Sequence, residues 1–186
     1  MAQVTAHLCS QNAHKLQEFR ALFPDWELTL LDAATFPAED GATYHDNARS
    51  KALFGREVGP DGAWMLGDDS GLELDALAGG PGVATARWAA GEHVAKALAA
   101  VDGAASRRGR YVCELVCLAP DAREFRGTGV LEGTIAAAPS GREGFGFDPV
   151  FVPDGETRTV AELGNDWKSR NSHRARAAQA LLAAIG

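Results

Sequence analysis

The feature that most constrains the fold is the interleaving of strand-like and helical segments in the first third of the chain. Residues 3–9 and 26–31 have the composition of short strands, and apolar residues between them recur at helical spacing until a proline ends the helix. Thr43 begins a further helix, because Asp46 stands three residues later in a capping-box arrangement. Strands interleaved with helices in this way predict an α/β fold.

The middle of the chain is richer in strands. Residues 64–66 predict a short strand that runs into an acidic pair, and residues 110–118 and 124–135 alternate like two paired strands. A helix is expected over 93–101, and Ser172 caps a final helix of alanine and leucine. The sequence therefore predicts an α/β fold with helices around a mixed β-sheet, and the length fits one domain or two closely packed lobes.

Composition limits what the chain can bind. Apolar residues make up 46% of its 186 residues, which is ordinary for a soluble globular protein, and the formal net charge is −7. This charge argues against a broad nucleic-acid surface, but not against a small anionic substrate held by a few lysines and a metal ion. No apolar stretch is long enough to span a membrane and no signal peptide opens the chain, so we expect a cytoplasmic protein.

The three cysteines, Cys9, Cys113 and Cys117, form no Cys-x-x-Cys pair. Two of them stand in a segment crowded with β-branched and apolar residues, which is typical of a buried strand. Because free cysteine behaves as a small hydrophobe, we expect reduced thiols in the core. A zinc site would need partners at regular spacing, and the sequence has none.

A first candidate for chemistry is the turn between the first strand and the first helix. Amide hydrogens at the start of a helix carry partial positive charge, so the turn suits a phosphate, and Lys15 would add a full charge. An ordinary helix start is the alternative, and the turn lacks the glycine spacing of a P-loop. The turn consists of Ser10, Gln11, Asn12, Ala13, His14 and Lys15.

A second candidate is the acidic pair Asp68-Asp69. Adjacent carboxylates are poor strand formers and repel each other. They either lie in a solvated turn, where aspartate bonds its own backbone, or hold a hard cation such as Mg²⁺, which prefers carboxylate and phosphate oxygens. Glu39 stands in a loop and is either a further ligand or a solvated residue.

Two further segments carry residues in unusual positions. In the 144–149 loop, phenylalanines stand between glycines. They either stack on a purine, which contributes on the order of 1–3 kcal/mol per base, or pack locally into the core. Near the C-terminus, Lys168, His173 and Arg174 place cations at a helix start, where the dipole is already positive. Cations placed against the helix dipole indicate either a functional site or a solvated basic turn.

These segments follow one another in a fixed order along the chain. The series is Ser10-x-Asn12-x-x-Lys15, Glu39-x-Gly41-x-Thr43, Asp46-Asn47-Ala48-x-x-Lys51-Ala52, Asp68-Asp69-Ser70-Gly71, Gly80-Pro81-Gly82-Val83, Ala86-Arg87-Trp88, Gly144-Phe145-Gly146-Phe147-Asp148-Pro149, Thr159-x-Ala161-Glu162-Leu163, Lys168 and Ser172-His173-Arg174. From about residue 4 to the C-terminus, this series resembles the inosine triphosphate pyrophosphatase family, whose members remove deaminated purine nucleotides.

The resemblance implies an elongated mixed sheet, two lobes with a cleft between them, and usually a homodimer. It implies hydrolysis of ITP, dITP and XTP to the monophosphate and pyrophosphate with Mg²⁺. By motif position, Glu39 and Asp69 would bind the metal, and Asp69 would accept a proton. The implied substrate contacts are Ser10, Gln11, Asn12, Ala13, His14, Lys15, Lys51, Ser70, Phe145, Gly146, Phe147, Asp148, Lys168, His173 and Arg174.

The sequence departs from the family pattern at several places. Gln11 replaces a small residue in the first loop, Asp46 stands where Glu is usual, and Thr85 takes the place of a serine. The segment after Gly91 is shortened and lacks a usual Asn. That segment belongs to the lobe that would carry the dimer surface, so the homodimer is the expectation it affects most.

Three other functions fit less of the sequence. A dinucleotide-binding oxidoreductase would need Gly-x-Gly-x-x-Gly between the first strand and helix, and the sequence has none there. A nucleotide-binding module without activity would leave the acids solvated and the aromatic residues in the core. A related pyrophosphatase would act on other modified nucleotides, including pyrimidines.

Overall fold

The computed structural model describes residues 4–186, so Gln3, where the first predicted strand begins, lies outside the described residues. The strands are β1 (Val4–Leu8), β2 (Trp26–Leu30), β3 (Trp64–Leu74), β4 (Arg108–Leu118), β5 (Glu124–Ile135) and β6 (Phe151–Pro153). The helices are α1 (Ala13–Leu22), α2 (Tyr44–Val58), α3 (Thr85–Ala89), α4 (His93–Ala100), α5 (Val160–Leu163), α6 (Asn165–Asn171) and α7 (His173–Ile185). Short 3₁₀ turns cover Asp75–Leu77 and Gly82–Ala84.

The six strands form one sheet in the order β2-β1-β3-β4-β5-β6. Strand β1 runs parallel to β2, with Val4 opposite Trp26, and parallel to β3, with Ala6 opposite Trp64. Strands β5 and β6 are antiparallel. The sheet is therefore mixed, and the predicted α/β class is confirmed.

Most predicted elements are present within one or two residues of their predicted ends. The predicted capping box at the start of α2 is confirmed, because the Asp46 amide donates to the Thr43 side chain and the Thr43 amide to the Asp46 carboxylate. The prediction that the third strand ends at the acidic pair was wrong, because β3 continues through Asp68 and Asp69 to Leu74. The contacts of Asp68 with Lys15 and of Asp69 with Asn47 outweigh the poor strand propensity of aspartate.

The chain divides into two compact units. The first contains the described residues up to Asp69 together with Cys113–Gly129 and Arg174–Gly186. The second contains Ser70–Val112 and Val130–His173. Strands β3, β4 and β5 contribute residues to both units. The predicted pair of lobes with a cleft between them stays a prediction.

In the first unit, consecutive residues of β3 belong to different hydrophobic clusters. Leu66 packs in a cluster that includes Phe19 of α1 and Leu181 of α7, whereas Met65 packs with Ala48 of α2. Successive strand side chains point to opposite faces of a sheet, so α1 and α7 cover one face and α2 covers the other. By the same alternation, Asp68 points to the α1 and α7 face and Asp69 to the α2 face.

The second unit has its own core, which includes residues from β3, β4, β5, β6 and α4. Its buried members are Leu72, Leu74, Ala89, Ala97, Val101, Tyr111, Leu131, Ile135, Phe147, Val150, Phe151 and Val160.

The three cysteines are buried and free, as predicted. Burial raises the pKa of Cys9 to about 12, so its thiol stays protonated at neutral pH. Among residues 4–186, none of the helices has the length and apolar character required to cross a membrane.

Gly67 lets α2 approach β3 closely. A Cβ atom added there would lie 2.0 Å from the Ala48 carbonyl oxygen and 2.9 Å from the Ala52 amide nitrogen. Because both are backbone atoms, Gly67→Ala should force helix and strand apart and lower the free energy of unfolding by about 1–3 kcal/mol. Urea denaturation followed by tryptophan fluorescence measures this loss. The exposed Ser50→Ala in α2 should change it by less than about 0.5 kcal/mol, and equal losses would contradict the explanation.

Candidate active site

Asp68 is a fully buried anion surrounded by cations. The Lys15 ammonium nitrogen lies 2.7 Å from its Oδ2, and Lys51 Nζ donates to its backbone carbonyl at 2.7 Å. Burial alone would raise the pKa of Asp68, but the charges of Lys15, Lys51 and Arg174 outweigh burial and hold that pKa below its usual range. Asp68 therefore stays ionised and anchors the neighbouring cations.

Asp69, on the other face of β3, has a different environment. Its Oδ2 accepts a hydrogen bond from Asn47 Nδ2 at 2.8 Å. Burial raises the pKa of Asp69, although the Asn47 hydrogen bond and the Lys51 charge oppose the shift. Two adjacent carboxylates thus have pKa values displaced in opposite directions, an arrangement that separates an ionised anchor from a proton acceptor.

Two further residues, Glu39 and Lys51, lie on the α2 side. Together with Asp68 and Asp69 they form what we call the carboxylate centre. Lys51 projects from α2, is buried, and its Nζ contacts Glu39 Oε1. Burial would lower the pKa of Lys51, but the charges of Asp68 and Glu39 outweigh burial and raise it, so Lys51 stays protonated. The Glu39 charge adds to the effect of burial in raising the pKa of Asp69.

At the start of α1, Asn12 caps its own helix. Its side-chain oxygen accepts from the backbone amides of His14 at 3.0 Å and Lys15 at 3.2 Å, and the Asn12 amide donates to Ser10 Oγ at 3.1 Å. Two of the amide hydrogens that the sequence offered to a phosphate are therefore used by the cap. The Lys15 ammonium is the stronger attraction for an anion at this turn.

Arg174 lies in the first unit, one residue after α7 begins. Its Nη1 donates to Glu18 Oε2 at 3.1 Å, and both side chains are largely buried. A cation is unfavourable near the positive end of a helix dipole. Here the carboxylate of Glu18 and the nearby charge of Asp68 offset that penalty.

In the second unit, Asp148 organises the glycine-phenylalanine loop. Its Oδ2 accepts from Lys168 Nζ at 2.7 Å and from the Phe145 amide at 2.8 Å, and Tyr111 donates to its Oδ1 at 3.4 Å. Lys168 Nζ also lies 4.7 Å from the centre of the Phe145 ring. Gly144 and Gly146 have positive φ angles, which let the loop turn tightly around this carboxylate.

The two phenylalanines of this loop differ. Phe147 is buried in the core of the second unit and packs near Trp88 and His93, so the core-packing alternative holds for it. Phe145 is only half-buried, and its stacking on a ligand stays a prediction. His173 stacks on Tyr111, with ring centres 4.6 Å apart.

The structure divides the predicted site residues between the two units. The first unit holds Ser10, Gln11, Asn12, Ala13, His14, Lys15, Glu39, Lys51, Asp69 and Arg174. The second holds Ser70, Phe145, Gly146, Phe147, Asp148, Lys168 and His173. The neighbours His173 and Arg174 have different partners, and their joint contact with one base stays a prediction.

Three residues at these centres received no role from the sequence: Glu18, Asn47 and Tyr111. The sequence offered Asp68 as half of a possible cation-binding pair, and in the structure its carboxylate pairs with Lys15. Asn47 carried a usable signal, because it is polar and lies beside Ala48 and Ala52 on the stripe that α2 buries. A buried polar residue on an apolar stripe needs a bonding partner. Glu18 and Tyr111 became apparent only from contacts between residues distant in sequence.

The fold and these side chains define an α/β protein with a buried centre of carboxylates and lysines, a chemistry suited to phosphates and a divalent cation. The sequence matches the Ham1 family over residues 6–184. It is 40% identical over 188 aligned residues to a dITP/XTP pyrophosphatase of Bdellovibrio bacteriovorus, with 94% of each chain covered. It is 42% identical over 189 residues to a dITP/XTP pyrophosphatase of Opitutus terrae, covering 92% of this chain and 93% of the relative.

Solved structures agree with the sequence relatives. A HAM1 protein from Coxiella burnetii superposes with a TM-score of 0.83 at 32% identity, covering 98% of both chains. The Ham1 protein of Staphylococcus aureus gives a TM-score of 0.81 at 29% identity, covering 97% of both. The chain belongs to the Ham1 family, and the predicted resemblance is confirmed.

Replacing the two adjacent acids by asparagine should have opposite effects on stability. Asp68→Asn removes the anion that balances three cations, and leaving buried charges without their partner costs about 3–5 kcal/mol. Asp69→Asn removes a carboxylate whose ionisation burial disfavours, so the free energy of unfolding at pH 7 should rise by about 0.5–2 kcal/mol. Urea denaturation in the presence of EDTA measures both changes.

The pH dependence of these changes follows from the pKa directions. The stabilisation by ionised Asp68 is present above the ordinary aspartate pKa and is lost as the pH falls through its lowered folded-state pKa. The penalty from ionised Asp69 starts to fall as the pH drops below its raised folded-state pKa and is gone below the ordinary aspartate pKa, so the gain from Asp69→Asn should shrink on acidification. Changes of the same sign in both variants at pH 7 would contradict the assignment.

Proposed function

We propose that the chain is a nucleoside-triphosphate pyrophosphatase that hydrolyses ITP, dITP and XTP to the monophosphate and pyrophosphate, and so removes them from the nucleotide pool. Membership of the Ham1 family and the names of its relatives support this reaction. The observation that carries the proposal is the centre on β3, where Asn47 donates to Asp69 and Lys51 contacts both Glu39 and the Asp68 carbonyl oxygen.

Lys15 and Lys51 supply positive charge for the triphosphate, together with the polar turn from Ser10 to His14. An ammonium group is a compact charge on a flexible stem, so it can follow phosphate oxygens as their charge shifts. Asp68 keeps both lysines close to the centre, through its carboxylate for Lys15 and its backbone carbonyl for Lys51. The lysines would exchange these contacts in part for phosphate oxygens when substrate binds.

Glu39 and Asp69 would hold a Mg²⁺ ion. Magnesium takes one or two protein carboxylates and completes its coordination with waters and substrate phosphates. The Asp69 and Glu39 carboxylates, which α2 contacts through Asn47 and Lys51, would supply two such ligands. Among residues 4–186, no group of three or more His, Cys, Asp or Glu side chains is arranged for a metal. When bound, the ion would neutralise phosphate charge and lower the pKa of a water molecule.

Asp69 is the proposed general base. A base works best when its pKa lies close to the operating pH, and burial raises the pKa of Asp69 in that direction. The Asn47 hydrogen bond fixes the orientation of the carboxylate, so that it can accept a proton from the attacking water.

Selection of the base rests on hydrogen-bond donors. Hypoxanthine and xanthine carry an oxygen at position 6, which accepts hydrogen bonds, whereas adenine carries an amino group that donates them. Lys168, His173 and Arg174 are the donors we assign to this oxygen, with Phe145 as the stacking face. Adenine would leave these donors unpaired, at a cost of about 1–3 kcal/mol for each.

We further propose that the enzyme works in the cytoplasm as a homodimer, which family membership supports. Sedimentation equilibrium at micromolar concentration tests the dimer, for which a mass of about twice the 19.6 kDa chain is expected.

A panel of nucleoside triphosphates tests the reaction. With Mg²⁺, the enzyme should convert ITP, dITP and XTP to monophosphate and pyrophosphate, identified by ion-exchange chromatography, because cleavage lies between the α and β phosphates. Activity should be lost in EDTA and return with added Mg²⁺. A diphosphate product, or equal rates on ITP and ATP, would contradict the proposal.

Asp69→Asn should lower turnover of ITP by at least about a hundredfold, because it removes the general base and one metal ligand. Steady-state rates at saturating Mg²⁺ and ITP measure this loss. The matched control is Asp61→Asn, which removes an exposed carboxylate of the same unit and should leave turnover unchanged. Near-normal turnover in Asp69→Asn would remove Asp69 from the mechanism.

Arg174→Ala should reduce the preference for ITP over ATP by about tenfold, since one donor to the base oxygen is lost. The ratio of kcat/KM for the two substrates measures this, and it does not depend on the fraction of enzyme that is folded. Arg176→Ala, which alters an exposed residue of the same helix, should keep the ratio of the native enzyme. An unchanged ratio in Arg174→Ala would assign base selection to other residues.

A further inference from the structure

We propose that Asn47 is a positioning residue that fixes the spacing between Glu39 and Asp69. The inference rests on the proposed function, in which these two carboxylates hold the metal. Asn47 is buried on α2, and both ends of its amide are bonded. Its Nδ2 donates to Asp69 Oδ2 at 2.8 Å, and its Oδ1 accepts from the Gly41 amide at 2.8 Å.

The loop that carries Glu39 rests directly against this amide. A Cβ atom added to Gly41 would lie 2.6 Å from Asn47 Oδ1 and 2.7 Å from the Asp46 Cβ. Only glycine therefore fits at position 41 while the bond to Asn47 is kept. Glu39 is two residues away, so this hydrogen bond fixes the backbone of the loop from which the Glu39 side chain extends.

Helix α2 contacts the same two segments a second time, one turn further along. Lys51 contacts the Glu39 carboxylate and donates to the Asp68 carbonyl oxygen. The two connections differ in kind, because Lys51 is charged and is also assigned to the substrate phosphates. Asn47 is neutral, so its two hydrogen bonds hold the spacing when the cationic contact is shared with phosphate.

The side chain at this position has to donate and accept at once. Asparagine offers both groups in one short, planar amide, whereas aspartate would place a further carboxylate beside Asp69 and alanine would leave both partners without this bond. Removing partners that orient metal ligands typically weakens metal affinity by about 10–100-fold. We therefore expect Asn47→Ala to weaken divalent-ion binding by at least about tenfold.

The measurement is the dissociation constant for Mn²⁺, determined by electron paramagnetic resonance at saturating α,β-methylene inosine triphosphate. No turnover is needed for this readout. The structural control is Thr29→Val, which breaks the 3.0 Å contact between Thr29 Oγ1 and His7 Nδ1 in the same unit. Thr29→Val should bind Mn²⁺ as the native enzyme does, even if it is less stable.

Gly41→Ala tests the same contact from the other side. The added methyl group displaces the Asn47 amide, so this variant should also weaken Mn²⁺ binding by about tenfold. Combined with Asn47→Ala, it should add less than it does alone, because both changes break the hydrogen bond between Gly41 and Asn47 and their effects are then not fully additive. If Asn47→Ala does not fold, Gly41→Ala alone still decides the question.

Native Mn²⁺ affinity in either folded single variant, or fully additive losses in the double variant, would overturn the role of Asn47. Failure of the proposed function gives a different result. The native enzyme would then bind Mn²⁺ and the analogue but release no pyrophosphate from ITP, or would not bind the analogue.

Discussion

The period-two alternation of strand β3 places Asp68 and Asp69 on opposite faces of the sheet, and the electrostatics of the first unit depend on it. The α1 and α7 face presents Lys15 and Arg174, whereas the α2 face presents the Asn47 amide together with Lys51. The same pair of residues thus yields one carboxylate with a lowered pKa and one with a raised pKa. A register shift of one residue would exchange the two faces and remove both environments.

Helix α2 supplies the side chains that bind the acidic residues from the other face of the sheet. Its buried stripe carries alanines that pack against the sheet, and beside them Asn47 and Lys51, which bind the acidic segments. Helix α2 approaches β3 so closely that its backbone leaves no room for a side chain at position 67, which is glycine. Packing and chemistry therefore use the same helix face, and a change that loosens the packing should also widen the centre.

The sequence predicted the fold class, most elements and the family because these depend on local periodicity and ordered motifs. It failed for the length of β3. Aspartate is rare in strands, but here the Asp68 and Asp69 carboxylates are buried and bonded inside the first unit, so the strand continues through them. It also offered the amides at the start of α1 to a ligand, although Asn12 binds two of them. Local sequence does not encode burial, so it could not predict that Phe147 packs in the core of the second unit while Phe145 is half-buried.

Neighbours in sequence can serve different parts of a site, and the start of α7 shows this as clearly as β3 does. Successive helix residues point about 100° apart. His173 accordingly stacks on Tyr111, while Arg174 pairs with Glu18 and lowers the pKa of Asp68. Arg174 therefore contributes to the charge balance of the carboxylate centre even before any base is bound. A residue assigned to base recognition thus also affects the anchor that keeps Lys15 in place.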